Sequence, residues 1–467
     1  MLLLLLLFLG SFHGCSSQSI VRSLPGYDGD LPFYFETGYI GVGEQEEVQL
    51  FYYFAASENR PEDDPLLLWL TGGPGCSALS GLIYEVGPFT FDLKAPHTYP
   101  PKLVLNPYSW TKVSSMIFVD APVGTGFSYS TTQQGYDSSA TKESMDLYEF
   151  MRKWLQTHPK FSTNPLYISG DSYSGIIVPM VAYHISNGNM EGLFPRMNLQ
   201  GYTVGNPMTL ADSDINSRVE YAFYKSLLSI ELYESARHHC NGDYINVNQG
   251  NAACIDDLKL INKCLENIFI GMILEPDCAT LSPEPRRLLR RELGSSRDED
   301  FLNFTLKPRD HITWCRSYNY LAIYIWANDE SVQDALHIRM GTVPKWTRCN
   351  YSISFSENVN DTVDYHRQLL RRGYRGLVYS GDHDMVFPYL GTLKWIGLLN
   401  LSITSEWQPW TVDGQVAGYT IKYNDTVSQL VFATVLGAGH TAPEYNPKQC
   451  LAMIRRWLAH FPLTSHL

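Results

Sequence analysis

Basic residues are scarce in this chain: 35 Lys and Arg stand against 48 Asp and Glu, a formal net charge of -13 at pH 7. Binding a phosphate backbone needs a concentrated basic surface, so nucleic acid is excluded as a partner. Long apolar runs are also missing. Beyond the N-terminus no segment approaches the roughly 18 unbroken apolar residues that a membrane helix needs, so no membrane partner is expected. The cysteines form no CxxC pair, no His-Glu-x-x-His occurs, and the "HHC" at 238–240 has no further ligands at metal spacing. A P-loop and a clean G-x-G-x-x-G are absent as well. Neither a metal nor a cofactor is therefore expected.

What remains is a folded chain of 467 residues, 44% hydrophobic and 18% charged, which supports a sizeable core and argues against disorder. Met1 to Gly10, "MLLLLLLFLG", is an apolar run of signal-peptide length that gives way to small and polar residues. Residues 1–19 thus read as a leader into the secretory pathway. The N-x-S/T sequons at Asn303, Asn350, Asn360, Asn400 and Asn424 agree with secretion and are expected to carry glycans. Loss of the leader removes Cys15 and leaves the other cysteines dispersed, a pattern of disulfides with one or two free thiols.

"PLLLWLTGG" is a continuous apolar run of the kind buried in the middle of a sheet. "SSMIFVDAP", "PLYISGD", "YTVGNP", "GLVYSGD" and "LVFATVLGAGH" share one design, a β-rich run ending abruptly in Gly, Asp, Asn or Pro. Helical patterns such as "SSATKESMDLYEFMRKWLQTHP" lie between several of them. Strands alternating with helices imply an α/β protein with a mostly parallel central sheet. Residues 20–215 and 335–467 form its two parts, and 216–334, helical, polar and cysteine-rich, reads as an inserted cap. Within it, residues 281–310 mix Pro, Gly, Ser and dense charge, as an exposed loop open to proteolytic excision does.

In "LYISGDSYSGIIVPMVAYHI" a strand-like run meets G-x-S-x-G and a helix-compatible run follows, the context a nucleophile elbow requires. Gly170 and Gly175 let the chain turn sharply and hold Ser172 out from the backbone. A serine hydroxyl needs a base to take its proton and an acid to orient that base. In the chain order Ser, acid, His, the strand ends "LVYSGDHDM" and "ATVLGAGHTAP" offer Asp382 or Asp384, and then His440. Spacing does not choose between the two aspartates. The oxyanion donors would be the Tyr173 N–H and an N–H from the glycine-rich loop in "WLTGGPGCSALSGLIYEVGP".

The stretches "LLLWLTGGPGCS", "EVGPF", "SWTKVSSMIFVDAPVGTGFSYS", "ISGDSYSG", "GNP", "SGDHDMVFP" and "GAGHTAPEYNP" together resemble the serine carboxypeptidase family, peptidases of α/β-hydrolase fold. The resemblance implies Ser172 as nucleophile, His440 as base, Asp384 as orienting acid, and the N–H groups of Gly73 and Tyr173 as oxyanion hole. It also implies disulfides Cys76–Cys349, Cys240–Cys254 and Cys278–Cys315, leaving Cys264 and Cys450 unassigned, and a vacuolar or extracellular destination.

Family peptidases hold the substrate carboxylate with an asparagine in W-x-N-G-G-P-G and a glutamate in G-E-S-Y, paired with a glutamate before Gly-Pro. This chain has Thr71, Asp171 and Glu85 there, and these three with Gly72 are the expected substrate-binding residues. Threonine lacks the two-hydrogen donor of an amide, and aspartate is a methylene shorter than glutamate. The form D-S-Y-S-G looks like the plant serine carboxypeptidase-like acyltransferases, which use 1-O-acyl-glucose donors. The resemblance thus points to transfer of an acyl group, aromatic such as hydroxycinnamoyl or benzoyl, from its glucose ester to a hydroxyl or amine. The partners are then small-molecule donor and acceptor. Two other readings stand beside it: a carboxypeptidase active at acidic pH, and a non-catalytic binding relative. The chain is expected as a monomer or as a nicked, disulfide-linked two-chain form.

Overall fold

The structure, a computed structural model, describes residues 17–92, 98–278, 315–424 and 427–465. Among the described residues, twelve strands form one sheet. They are β1 (Ser17–Ile20), β2 (Phe35–Val42), β3 (Val48–Ala55), β4 (Leu66–Leu70), β5 (Ser115–Val119) and β6 (Tyr129–Ser130). The second half supplies β7 (Leu166–Asp171), β8 (Leu199–Gly205), β9 (Arg375–Gly381), β10 (Ser402–Val412), β11 (Gln415–Asn424) and β12 (Gln429–Val435). The spatial order is β1-β2-β3-β5-β4-β7-β8-β9-β12-β11-β10, with β6 beside β3. From β5 to β12 every neighbouring pair is parallel. The arms at both edges are antiparallel, so the expected parallel sheet is the middle of a larger mixed one.

The period of two along each strand divides the core between the faces of the sheet. On β4, Leu66, Leu68 and Leu70 join one cluster with Val378 of β9, while Leu67 and Trp69 join the other with Leu377 and Tyr379. The first face is covered by α1 (Ala140–Thr157), α2 (Ser174–Met190), α7 (Val363–Arg371) and α8 (Tyr389–Leu398). The second is covered by α6 (Tyr320–Ala327) and α9 (Pro447–Leu458). Helix α1 begins where the Ser139 hydroxyl accepts the Lys142 N–H, and it buries Leu147, Phe150, Met151 and Trp154 as one stripe.

Between β8 and β9, helices α3 (Ala211–Tyr224), α4 (Ile230–His239) and α5 (Ala252–Leu265) form a small cluster around Val219, Tyr221, Leu228, Ala236 and Ile261. It meets the rest of the molecule at Met385, Tyr389 and Leu390. The stretch 216–334 read as one inserted cap thus divides by its packing, because α6 buries Ile323 and Trp326 in the second core. Most of the leader and all of 281–310 lie outside the described residues. Within the stretch read as leader, Ser17, Gln18 and Ser19 pair with Tyr39, Gly38 and Thr37. Among the described residues no helix is long and apolar enough to cross a membrane.

One buried acid of α1 sets a stability expectation. Glu143 is 6% exposed, its Oε2 has no hydrogen-bond partner among the described residues, and burial together with the nearby Asp146 pushes its carboxyl up to about 8. A carboxyl raised on folding contributes stability that is full below its unfolded value and is lost as pH rises through the folded one. Glu143→Gln is expected to raise stability at pH 8 by about 2 kcal/mol and to leave it nearly unchanged at pH 4.5. Urea midpoints at both pH values check this, and an equal shift at both would refute it.

Candidate active site

Strand β7 ends at Asp171 and α2 begins at Ser174, so the chain turns within two residues. The turn puts Ser172 at φ +56°, the left-handed region that non-glycine residues rarely occupy. Its surroundings hold it there. The Ser172 N–H donates to Gly205 O at 2.9 Å, and its carbonyl accepts the N–H groups of Gly175 and Met208, each at 3.0 Å. A Cβ on Gly72 would lie 2.4 Å from the Ser172 Cβ, so only glycine lets the 71–76 loop approach the elbow this closely. Likewise a Cβ on Gly175 would stand 2.4 Å from Met208 O, where the new helix packs on the loop after β8.

Two other strand ends complete the constellation. The turn after β12 carries His440, whose Nε2 lies 2.7 Å from the Ser172 Oγ. The segment after β9 carries Asp384, fully buried, whose Oδ2 receives His440 Nδ1 at 2.9 Å. Asp384 is itself fixed by the Asn206 Nδ2 at 2.8 Å and by the N–H groups of Val386 and Phe387. Burial pushes the His440 imidazole down, but the charge and hydrogen bond of Asp384, aided by the charge of Asp171, outweigh it and hold it above its ordinary value. Asp382 faces elsewhere, accepting from Gly437 N–H at 2.6 Å and His383 Nδ1 at 2.8 Å. Geometry thus separates the two aspartates that spacing left open.

The Gly73 and Tyr173 N–H groups donate to no other described residue, and both sit beside the elbow, as oxyanion donors require. Behind them lies a buried polar region. Asp171 is 2% exposed, and its Oδ1 accepts the Gly72 N–H at 3.1 Å. Burial pushes its carboxyl up to about 6, against the charge of His440 and the Gly72 N–H, which pull it down. Glu85 is pushed well above the carboxylate range by burial and then by the charges of Asp171 and Glu444. Its Oε2, the Thr71 Oγ1, the Arg348 Nε and the Glu444 Oε1 have no hydrogen-bond partner among the described residues. Arg348 stacks 4.2 Å above the Tyr320 ring, and Arg316 pairs with Glu275 at 2.7 Å and Glu444 at 3.6 Å.

The cysteines are bonded Cys76–Cys349, Cys240–Cys254 and Cys278–Cys315, with Cys264 exposed and Cys450 buried as free thiols. Among the sequons, Asn360 and Asn400 are exposed and Asn424 is half-buried. Asn350 is engaged on both sides of its amide, donating to Gly124 O and accepting from Ser352 N–H. Asn303 lies outside the described residues. Sequence reasoning missed two supports of the Asp384 segment. Asn206 stood in the quoted "GNP" without a role, although an asparagine closing a β-rich run beside a glycine is a signal for a strand-end site. Arg218 of α3 donates twice to Val386 O, and no local pattern marks it.

The sequence pattern of the family described as "Serine carboxypeptidase" matches residues 25–460. Serine carboxypeptidase-like 1 of Arabidopsis thaliana is 47% identical over 463 residues, spanning 99% of this chain and 97% of that protein. Serine carboxypeptidase-like 2 of the same plant is 46% identical over equal shares. Among solved structures, the prohormone-processing carboxypeptidase Kex1 of Saccharomyces cerevisiae superposes with a TM-score of 0.71 at 20% identity, over 92% of this chain and 91% of that one. That likeness carries the α/β-hydrolase fold.

Proposed function

This chain belongs to the serine carboxypeptidase family, and from that premise we propose an acyltransferase that takes its acyl group from a 1-O-β-acyl-glucose ester. The Ser172 Oγ attacks the ester carbonyl while His440 Nε2 takes its proton. The tetrahedral oxyanion sits on the N–H groups of Gly73 and Tyr173. The bond from the acyl carbon to the glucose O1 then breaks, and His440 returns the proton to O1 as glucose leaves. An acceptor hydroxyl or amine attacks the acyl-enzyme in turn, giving its proton to His440, which restores it to Ser172. The acyl group is hydroxycinnamoyl, benzoyl or a similar aromatic acyl. The enzyme works in the secretory pathway, in the vacuole or outside the cell. It does so as a monomer or as two chains joined by Cys278–Cys315 after excision within 281–310.

One observation carries the choice of donor: the short, buried Asp171, tied to the Gly72 N–H, beside the buried Glu85 and the Thr71 hydroxyl, which has no partner among the described residues. Above about pH 6 Asp171 is an anion placed where a peptide's terminal carboxylate would have to bind, and the two would repel. A sugar hydroxyl both donates and accepts, so it suits this mixture of Asp171, Glu85 and the Thr71 hydroxyl. The test offers the purified protein hydroxycinnamoyl-glucose with a range of hydroxyl and amine acceptors and, separately, a blocked dipeptide. Glucose release coupled to ester or amide formation is the expected result. Fast release of the C-terminal amino acid with no acyl transfer would overturn the reading.

A further inference from the structure

His440 stands at the end of a turn poorly suited to holding anything still. Residues 436–439 include Gly437 at φ +77° and Gly439. Glycine-rich backbone is conformationally free, and that freedom must be removed if the imidazole is to reach the Ser172 Oγ and Asp384 together. Leu436 is held at the start of the turn by its N–H on Ala417 O and by Asn446 Nδ2 on its carbonyl, and the bonds to Gly437 and Ala438 converge on the residue pair just before Asp384. The Asp382 Oδ1 accepts the Gly437 N–H at 2.6 Å, and the same oxygen receives His383 Nδ1 at 2.8 Å. The His383 N–H donates to Ala438 O at 2.9 Å. On its other side the His383 carbonyl accepts the Ile273 N–H at 3.2 Å, and Tyr221 of α3 donates its hydroxyl to the Asp382 carbonyl at 2.8 Å. Neighbouring bonds continue the seam, with His440 N–H on Gly271 O and Met385 N–H on Ile270 O. The sequence "GDHD" therefore holds two Asp–His couples: Asp384 bonds the His440 ring, and Asp382 with His383 bonds the backbone that carries it.

We propose that Asp382 and His383 are positioning residues for His440. Asp382 clamps the Gly437 turn through a charge-assisted hydrogen bond, and His383 orients that carboxylate while tying the joint to the 270–273 segment. The proposal rests on Ser172 and His440 acting as nucleophile and base, and is independent of which acyl donor they serve. A carboxylate that only filled space could be replaced by any residue of its size without touching the chemistry. A clamp predicts something narrower. Asp382→Ala frees the turn, and a displacement near 1 Å at the imidazole lowers reactivity about 100-fold. Asp382→Asn keeps an oxygen for the Gly437 N–H and should recover about 10-fold of that loss. For His383, an asparagine retains a donor at the Nδ1 position and should behave like the unsubstituted protein, whereas His383→Leu should not.

The experiment uses the full chain and two readouts. A serine-reactive fluorophosphonate reports the nucleophilicity of Ser172 whatever its natural donor, and hydroxycinnamoyl-glucose turnover separates kcat from KM. The expected pattern is slower labelling and lower kcat in the order Asp382→Ala, Asp382→Asn, unsubstituted, with KM within about twofold and melting temperatures nearly equal. Labelling at the unsubstituted rate in Asp382→Ala would overturn the proposal while leaving Ser172 as nucleophile. Equal losses in Ala and Asn, tracking a fall in melting temperature, would also overturn it, since a merely structural role gives that result. Slowed labelling in a protein that transfers nothing from acyl-glucose would instead support the clamp and sink the proposed donor.

Discussion

Asp384→Asn is expected to lower turnover on the order of 10⁴-fold, the scale seen when the acid of a Ser–His–Asp triad is made neutral, while the protein still folds. The reason lies in what the residue accepts. Its Oδ2 takes hydrogen bonds from His440 Nδ1, Asn206 Nδ2 and the Phe387 N–H, and its Oδ1 takes the Val386 N–H. An asparagine has one accepting oxygen and an NH2 group that only donates. If the oxygen stays toward Val386, the NH2 faces three donors, and His440 must turn or adopt the tautomer with its proton on Nε2. In that tautomer it cannot take the Ser172 proton. Loss of the Asp384 charge also removes the leading cause that holds the His440 imidazole up. The acid limb of the residual kcat/KM profile, where His440 becomes protonated and useless as a base, should therefore move to lower pH. Turnover within tenfold of the unsubstituted enzyme would show that Asp384 is not the orienting acid. Pairing the variant with Asn206→Leu separates charge from scaffold, because Asn206 contributes a neutral hydrogen bond and its loss should cost far less.

The parts legible in the sequence are those where local pattern and global role coincide. "LLLWL" and "RGLVYSG" are buried at every position, and an unbroken apolar strand has no other place than the middle of a sheet. Strand β10 failed that reading for the opposite reason. "SITSEWQPWTV" is mostly exposed, with Trp407 43% accessible and Pro409 inside it, so it shows neither alternation nor an apolar run. Only its pairing with β11 makes it a strand. Helix α6, "YLAIYIWA", is apolar on all sides, which marks a helix buried in a core, yet its polar, cysteine-rich surroundings drew it into the inserted region. At the site, the motif stretches marked Ser172 and His440 because strand ends and glycines frame both. The choice of Asp384 over Asp382 is a matter of which carboxylate reaches the His440 ring and which reaches the Gly437 N–H and the His383 ring, and two residues of separation cannot encode that. Asn206 and Arg218 act across the fold on the Asp384 segment, contacts that no single stretch of sequence displays.

Asp171→Glu combined with Thr71→Asn is expected to exchange one activity for the other. In the present chain Asp171 is anchored to the Gly72 N–H, its carboxyl raised to about 6, and burial, then the charges of Asp171 and Glu444, push the neighbouring Glu85 carboxyl well above its ordinary range. Lengthening Asp171 by a methylene brings two flexible carboxyls within reach of one proton. The asparagine restores a two-hydrogen donor where Thr71 now has an unpartnered hydroxyl. A proton-sharing pair plus an amide can hold a peptide's terminal carboxylate, while the sugar loses its short acceptor. The double variant should release amino acids from a blocked dipeptide and lose about 100-fold in transfer from hydroxycinnamoyl-glucose, the cost of misplacing the donor by about 1 Å. The pH dependence follows from the sign of the shift. The site binds a carboxylate only while the pair keeps its proton, so the gained activity should be greatest at acidic pH and vanish as pH rises through the pair's raised value. Measuring kcat/KM for both substrates between pH 4.5 and 7.5 checks each part. Unchanged acyl-glucose turnover with no dipeptide cleavage at any pH would show that these two positions do not choose the donor, even if Ser172 is the nucleophile.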